Sequence, residues 1–120
     1  MTRSPSVLIV EPSADEREVL RTVLERRGLR IWEAAGVERG LELARKHHPE
    51  VIVLDADANR SGNESIQAEF DATSTDQHSS LIVLGRISRD RSLPAGQVIA
   101  KPYHFGPLIH KIEQLAGKAA

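Results

Sequence analysis

Apolar residues form short runs that alternate with segments of helical periodicity along this chain. Runs at residues 7–10, 51–54, 81–84 and 98–100 are rich in Val, Ile and Leu, and residues 29–33 have the composition of a further strand. Short apolar runs separated by helical segments are typical of buried parallel strands. The pattern therefore predicts five β/α units in a doubly wound α/β fold with a five-stranded parallel sheet.

Three of the helical segments are clearly marked. Ser13 and Glu16 have the spacing of a capping box at the start of the first helix, which is predicted to stop at Gly28. Residues 37–47 and about 105–116 carry apolar stripes at helical spacing and are predicted to pack on the sheet.

The other two helical segments are weaker. Residues 57–80 are crowded with small polar residues, and Ile66 and Phe70 form their best apolar pair, so the third helix is predicted to be short and weakly docked. Residues 86–97 leave space for about one or two helical turns between strands, which predicts a truncated or absent fourth helix.

Charged residues follow three of the predicted strands. Glu11 follows the first, Asp55 the third and Lys101 the fifth. Since the carboxyl ends of parallel strands open at one edge of the sheet, where ligands bind at the point of strand-order reversal, these charges are expected to share one site.

Composition limits the class of protein. The chain has 120 residues, 16 Lys and Arg against 17 Asp and Glu, and no cysteine. One domain over residues 1–120 is expected, and the near-zero net charge disfavours nucleic-acid binding. The absence of cysteine excludes disulfides and thiolate metal sites, and it fits a cytoplasmic protein. No apolar run approaches the length of a membrane span or a signal-peptide core, so no membrane association is predicted.

Several polar and aromatic residues are interpreted as structural. Glu16 and Arg17 are assigned to the solvent face of the first helix, where their charge serves solvation. Trp32 is interpreted as a strand residue. The five histidines lack the spacing of a metal site.

The order of motifs resembles a response-regulator receiver domain over nearly the whole chain. The resemblance is carried by residues 7–11, 28–35 and 49–55 and by Lys101-Pro102. It implies a flavodoxin-like three-layer sandwich with strand order 2-1-3-4-5, which satisfies the right-handed crossover rule.

The resemblance also implies a chemistry. In that family a histidine kinase or phosphotransfer protein passes a phosphoryl group to the aspartate that ends the third strand, here Asp55, and Lys101 contacts the phosphoryl group. Glu11, Asp55 and Asp57 are the predicted magnesium ligands. Such a domain is a phosphoacceptor and not an enzyme in the usual sense, since at most it catalyses its own phosphorylation.

The chain departs from the family pattern at three positions. Pro12 stands where the family commonly has an acidic metal ligand, Gly85 where it has Ser or Thr, and Val98 where it has an aromatic residue. These differences predict a weakened magnesium site and a degraded switch. Asp57 is assigned either to compensation for Pro12 or to a solvent-facing loop.

Two alternative functions follow from the same residues. A pseudo-receiver would bind a protein without being phosphorylated. A phosphatase of the haloacid dehalogenase type would use Asp55 as nucleophile and Asp57 as general acid. The family's output and dimerisation surface, which includes the fourth helix, is expected to be remodelled here, so the downstream partner is not specified and a homodimer is possible.

Overall fold

The computed structural model describes residues 5–59, 64–85 and 98–117. The elements in chain order are β1 (Ser6–Val10), α1 (Ala14–Arg26), β2 (Arg30–Ala34), α2 (Val37–His47), β3 (Val51–Asp55), a 3-10 turn (Ala56–Ala58), α3 (Glu64–Gln77), β4 (Ser80–Gly85), β5 (Val98–Ala100) and α4 (Phe105–Leu115). The predicted truncated helix between β4 and β5 lies outside the described residues.

The five strands form one parallel sheet in the order β2-β1-β3-β4-β5. Val10 at the end of β1 is opposite Ala34 on one side and Leu54 on the other. The chain adds β2 on one side of β1 and β3 on the other, so the strand order reverses between β1 and β3. In parallel sheets such a point leaves a crevice at the carboxyl ends of the two strands. The predicted fold class and strand order are confirmed.

Helices cover both faces of the sheet and produce two apolar cores. Alternate residues of β1, β3 and β4 are buried under α1 and α4 on one face and under α2 and α3 on the other. The first core contains Val7, Ile9, Leu20, Leu24, Val51, Val53, Ile82, Leu84, Leu108, Ile109 and Ile112. The second contains Leu8, Val10, Leu41, Leu43, Ala44, Ile52, Leu54, Phe70, Leu81 and Val83. Burial on both faces explains the unbroken apolar runs in the sequence.

Helix α3 differs from its prediction. It has 14 residues, and Phe70 is fully buried with Thr73 and Ser74 beside it. The Ser74 hydroxyl donates a hydrogen bond to the carbonyl oxygen of Asp71 at 2.9 Å, so this buried hydroxyl has a partner. The prediction of a short, weakly docked helix was wrong, because α3 spans about four turns, Phe70 is fully buried in the second core and Ile66 packs against the same core.

The predicted ends of the first two helices agree with the structure within two residues. The Ser13 hydroxyl accepts the backbone N–H of Glu16 at 3.3 Å at the start of α1, and Gly28 has a φ of 86° just after its end. Helix α2 ends at His47, and the residue that follows it, His48, has a left-handed backbone. No helix in residues 5–59, 64–85 and 98–117 is long and apolar enough to cross a membrane.

Trp32 on β2 stacks on His47 at the end of α2. Their ring centroids are 3.7 Å apart with an interplanar angle of 8°, and the Arg30 guanidinium lies 4.9 Å from the Trp32 ring. Desolvation by these neighbours, followed by the positive charges of Lys46 and Arg30, lowers the pKa of His47.

We expect His47 to titrate below the ordinary histidine value of about 6.5. Because the folded chain favours the neutral imidazole, the contribution of His47 to stability is complete above that value and is lost as the pH falls through the lowered pKa. NMR titration of the imidazole protons measures this pKa, and Arg30→Gln is expected to raise it. The control Arg26→Gln should leave it unchanged, and a midpoint for His47 at or above the ordinary value would contradict the prediction.

Candidate functional site

The carboxyl edge of the sheet brings the three predicted charges together. Glu11 directly follows β1, and Asp55 is the last residue of the neighbouring strand β3. Glu11 is 4% exposed and Asp55 is 1% exposed. Lys101 follows β5, and its backbone N–H donates to the carbonyl oxygen of Gly85 at 3.0 Å. The expected meeting of these charges is observed, while the roles assigned to them stay predictions.

Lys101 reaches across β4 to Asp55. Its Nζ lies 2.5 Å from Asp55 Oδ2 and 3.1 Å from Asp57 Oδ2. The other oxygen of Asp55, Oδ1, accepts the backbone N–H of Asp57 at 2.8 Å. Burial alone would lower the pKa of Lys101, but the hydrogen bonds to Asp55 and Asp57 raise it above its ordinary value. The ammonium therefore stays charged beside Asp55.

Glu11 is a buried acid with one satisfied oxygen. Its Oε2 accepts the backbone N–H of Ser13 at 3.0 Å, whereas Oε1 is buried without a hydrogen-bond partner. Arg17 does not neutralise this carboxylate, because its Nη1 donates to the carbonyl oxygens of Glu11 at 2.7 Å and Pro12 at 3.2 Å. Burial, then the nearby Glu16 and Asp55 carboxyl groups, raise the pKa of Glu11 to about 8.

The third acid beside Glu11 and Asp55 is Glu16, from the first turn of α1. One carboxylate oxygen from each of these residues lies within 4.8 Å of the other two. Helical spacing assigns Glu16 to the solvent face, and its side chain is exposed in the structure. A signal was present in the sequence, because a capping-box glutamate at the third helical position points back toward the helix start, here the loop after β1.

Asp57 has a different position from the one expected of a metal ligand. Its side chain is 79% exposed and is paired with Lys101, outside the group of Glu11, Glu16 and Asp55. The prediction that Asp57 binds magnesium stays a prediction.

These residues border an open cleft of about 480 Å³, lined in part by Glu16, Asp57, Lys101, Tyr103 and Phe105. The two aromatic rings meet edge to face with centroids 5.7 Å apart. Burial, then the charge of Glu16, raises the pKa of Tyr103 to about 12, so its hydroxyl keeps its proton.

The site is rich in carboxylates, with Glu11, Glu16, Asp55 and Asp57 around one ammonium. Hard divalent cations such as Mg²⁺ prefer carboxylate oxygens, and the unpartnered Oε1 of Glu11 is a ligand atom without a donor. The residues present therefore fit such a cation.

Neighbouring atoms leave little space for any side chain at Gly85. A Cβ atom at Gly85 would lie 2.8 Å from the Cβ of Ala56, which follows Asp55. The close approach of these two backbones fills the space where a side chain at residue 85 would begin. Val98, the third departure from the family pattern, is half-buried at the start of β5.

Two relatives match part of the sequence, and no family model matches it. The KDP operon transcriptional regulatory protein KdpE of Escherichia coli K12 is 46% identical over 50 residues, which is 42% of this chain and 22% of that protein. The transcriptional regulatory protein AfsQ1 of Streptomyces coelicolor is 43% identical over 51 residues, or 42% of this chain and 23% of that protein. The matches thus span under a quarter of each relative.

Solved structures match nearly the whole chain. The receiver domain of the Francisella response regulator 1452 has a TM-score of 0.78 at 18% identity and covers 98% of this chain and 100% of its own. The signal receiver domain of the merR response regulator of Colwellia psychrerythraea has a TM-score of 0.77 at 24% identity, covering 95% and 99%. The receiver domain of the sensor histidine kinase PA1611 of Pseudomonas aeruginosa, which holds a magnesium ion in its active-site cleft, has a TM-score of 0.74 at 19% identity, covering 96% and 99%. At these identities the likeness establishes the fold.

Proposed function

We propose that this chain, which resembles response-regulator receiver domains in fold and in part of its sequence, is a receiver module that accepts a phosphoryl group on Asp55. The observation that carries the proposal is the contact between the Lys101 ammonium and the buried Asp55 carboxylate at the crevice of the sheet. A carboxylate can act as a nucleophile, and an ammonium beside it can hold a phosphoryl oxygen.

The transfer from a phosphohistidine needs few groups. An oxygen of Asp55 attacks phosphorus, an O–P bond forms and the P–N bond breaks. The electron pair of that bond returns to the imidazole, which leaves as a neutral ring when its other nitrogen carries a proton. The Lys101 ammonium is paired with the Asp55 carboxylate before the transfer and contacts the phosphoryl oxygens after it. The Asp57 N–H donates to Asp55 Oδ1 and so keeps the carboxylate oriented.

The site places four carboxyl groups around one ammonium, which favours a bound cation. Magnesium bound there would offset the charge that accumulates as the phosphoryl group approaches the carboxylates. Glu11 and Asp55 are the buried acids of the predicted ligand set Glu11, Asp55 and Asp57. Losing the acid at position 12 weakens such a site without abolishing it, because Mg²⁺ keeps several waters.

Incubation with acetyl phosphate and MgCl₂, followed by intact-mass measurement, tests the proposal. We expect one phosphoryl adduct on the unaltered chain, none on Asp55→Asn, and a reduced yield on Lys101→Met, because the ammonium that holds the phosphoryl oxygen is lost. An adduct that persists in Asp55→Asn would contradict the assignment of the acceptor.

A second candidate function is a pseudo-receiver that binds its partner without phosphorylation. It is supported by the close approach of Gly85 to Ala56, which leaves no space for a switch hydroxyl, and by Pro12 in place of an acid. The absence of an adduct at every magnesium concentration would favour it. Hydrolysis of p-nitrophenyl phosphate that is lost in Asp57→Asn would instead favour the phosphatase alternative.

The partners follow from the proposal. A phosphoacceptor of this kind requires a histidine kinase or a phosphotransfer protein as donor and a downstream protein as target. Homodimerisation stays a prediction, since residues 86–97 of the expected output surface lie outside the described part of the chain.

A further inference from the structure

We infer that Glu16 is a ligand of the divalent cation at this site and replaces the acid that is missing at position 12. The proposed ligand set is one carboxylate oxygen each from Glu11, Glu16 and Asp55. The inference rests on the proposed receiver function, since that function gives the cation its role, but the binding of the cation can be measured without phosphorylation.

The distances suit a hard divalent cation. The three carboxylate oxygens lie within 4.8 Å of one another. Two oxygens on opposite sides of Mg²⁺ or Ca²⁺ are about 4 to 5 Å apart, because the metal–oxygen distances are about 2.0 to 2.6 Å. The carboxylates thus already surround a volume of the right size, and waters can fill the remaining positions of a six-coordinate shell.

The buried oxygen Oε1 of Glu11 gives independent support. It has no hydrogen-bond partner, although Glu11 is only 4% exposed. Neither nearby cation reaches it, because Lys101 is paired with Asp55 and Asp57, and Arg17 donates to backbone carbonyls. In the ionised form of Glu11, a buried oxygen without a donor is costly, and a metal ion would satisfy it.

The placement of Glu16 favours it over Asp57 as the third ligand. In a complete capping box the Glu16 carboxylate would accept the backbone N–H of Ser13. That N–H is donated to Glu11 Oε2 instead, so this local bond does not hold Glu16. The Asp57 carboxylate is held by Lys101. Glu16 lies one helical turn after Pro12, and its flexible side chain can reach the place that a shorter acid at position 12 would occupy.

Titration of the full chain with Mg²⁺ by isothermal calorimetry tests the inference. Glu16→Gln is expected to weaken Mg²⁺ binding by about tenfold or more, the lower end of what losing even an outer partner of a metal site costs. The matched control is Asp15→Asn, which removes the same charge from the same helical turn and is expected to change the affinity by less than about twofold, because exposed charges are screened. Thermal unfolding without metal verifies that both variants fold.

A double variant tests whether Mg²⁺ affinity can be regained, in addition to whether it is lost. In Pro12→Asp/Glu16→Gln the returned acid is expected to restore most of the lost affinity for Mg²⁺. Equal weakening in Glu16→Gln and Asp15→Asn would overturn the inference, as would weakening in Asp57→Asn with none in Glu16→Gln. Failure of the unaltered chain to bind Mg²⁺ would also overturn it. The acceptor role of Asp55 is judged separately, by the mass of the acetyl phosphate adduct.

Discussion

Replacing Phe70 by alanine is expected to lower the free energy of unfolding by about 3 to 5 kcal/mol, the cost of truncating a large buried side chain. Phe70 is fully buried in the second core, and among the described side chains of α3 it is the only large apolar one that is fully buried, whereas Ile66 packs there half-buried. Its ring lies against α2 at Gly40, where an added Cβ would be 3.2 Å from Phe70 Cζ. The neighbouring small side chains of α3 cannot fill the cavity.

Urea unfolding followed by circular dichroism measures this loss. Phe70→Leu is the matched control and should cost clearly less, because it keeps most of the apolar volume. Ile66→Ala, at a half-buried position one turn away, should also cost less. A loss below about 1 kcal/mol for Phe70→Ala would mean that α3 is not anchored by this ring.

Returning a hydroxyl to the end of β4 with Gly85→Ser is expected to lower the free energy of unfolding by about 1 to 3 kcal/mol. The reason is steric, because the new Cβ would lie 2.8 Å from the Cβ of Ala56, in the turn that directly follows Asp55. The substitution must push that turn away from the sheet. Adding the hydroxyl that the family resemblance leads one to expect here is therefore expected to disturb the proposed acceptor, Asp55.

A double-mutant cycle isolates this clash. Ala56→Gly removes the opposing methyl group, so Ala56→Gly/Gly85→Ser should be more stable than the sum of the two single effects predicts. The expected coupling is about 0.5 to 3 kcal/mol, the range seen for residues in contact. Additive effects, or a Gly85→Ser variant as stable as the parent, would show that the two backbones can separate without cost.

The strands could be predicted from the sequence, because burial on both faces of a strand produces a recognisable pattern. The strands are covered on both faces, so their apolar runs are unbroken, and Asp55 and Lys101 could be placed at one edge from strand direction alone. The length of α3 does not follow from its apolar periodicity, because most of its side chains are small or polar and the Phe70 ring is its one fully buried large apolar contact among the described residues. The space for that ring is set by Gly40 on another helix, which no local pattern reveals.

The acids of the site show the same limit. Glu11 and Asp55 end strands, so topology predicts their positions. Helical spacing assigns Glu16 to the solvent face, and in a capping box such a glutamate accepts the backbone N–H of the N-cap residue. Glu11 takes that partner, the Ser13 N–H, and this competition depends on the path of the loop after β1. Asp57 lies two residues after Asp55 in the sequence, but its pairing with Lys101 depends on the position of β5, which the sequence around Asp57 does not reveal.

The edge strand β5 has three residues, all half-buried, and β4 is its only strand partner in the part of the chain that the structure describes. The Lys101 side chain adds a second attachment, from the rim of the sheet to its central strand. The attachment of β5 to the sheet thus depends in part on the charge of the Asp55 carboxylate, two strands away. A group added to Asp55 would change this ion pair directly. The change would reach α4 through the backbone that follows Lys101, and it would not require the Ser or Thr hydroxyl and the aromatic ring of the family pattern.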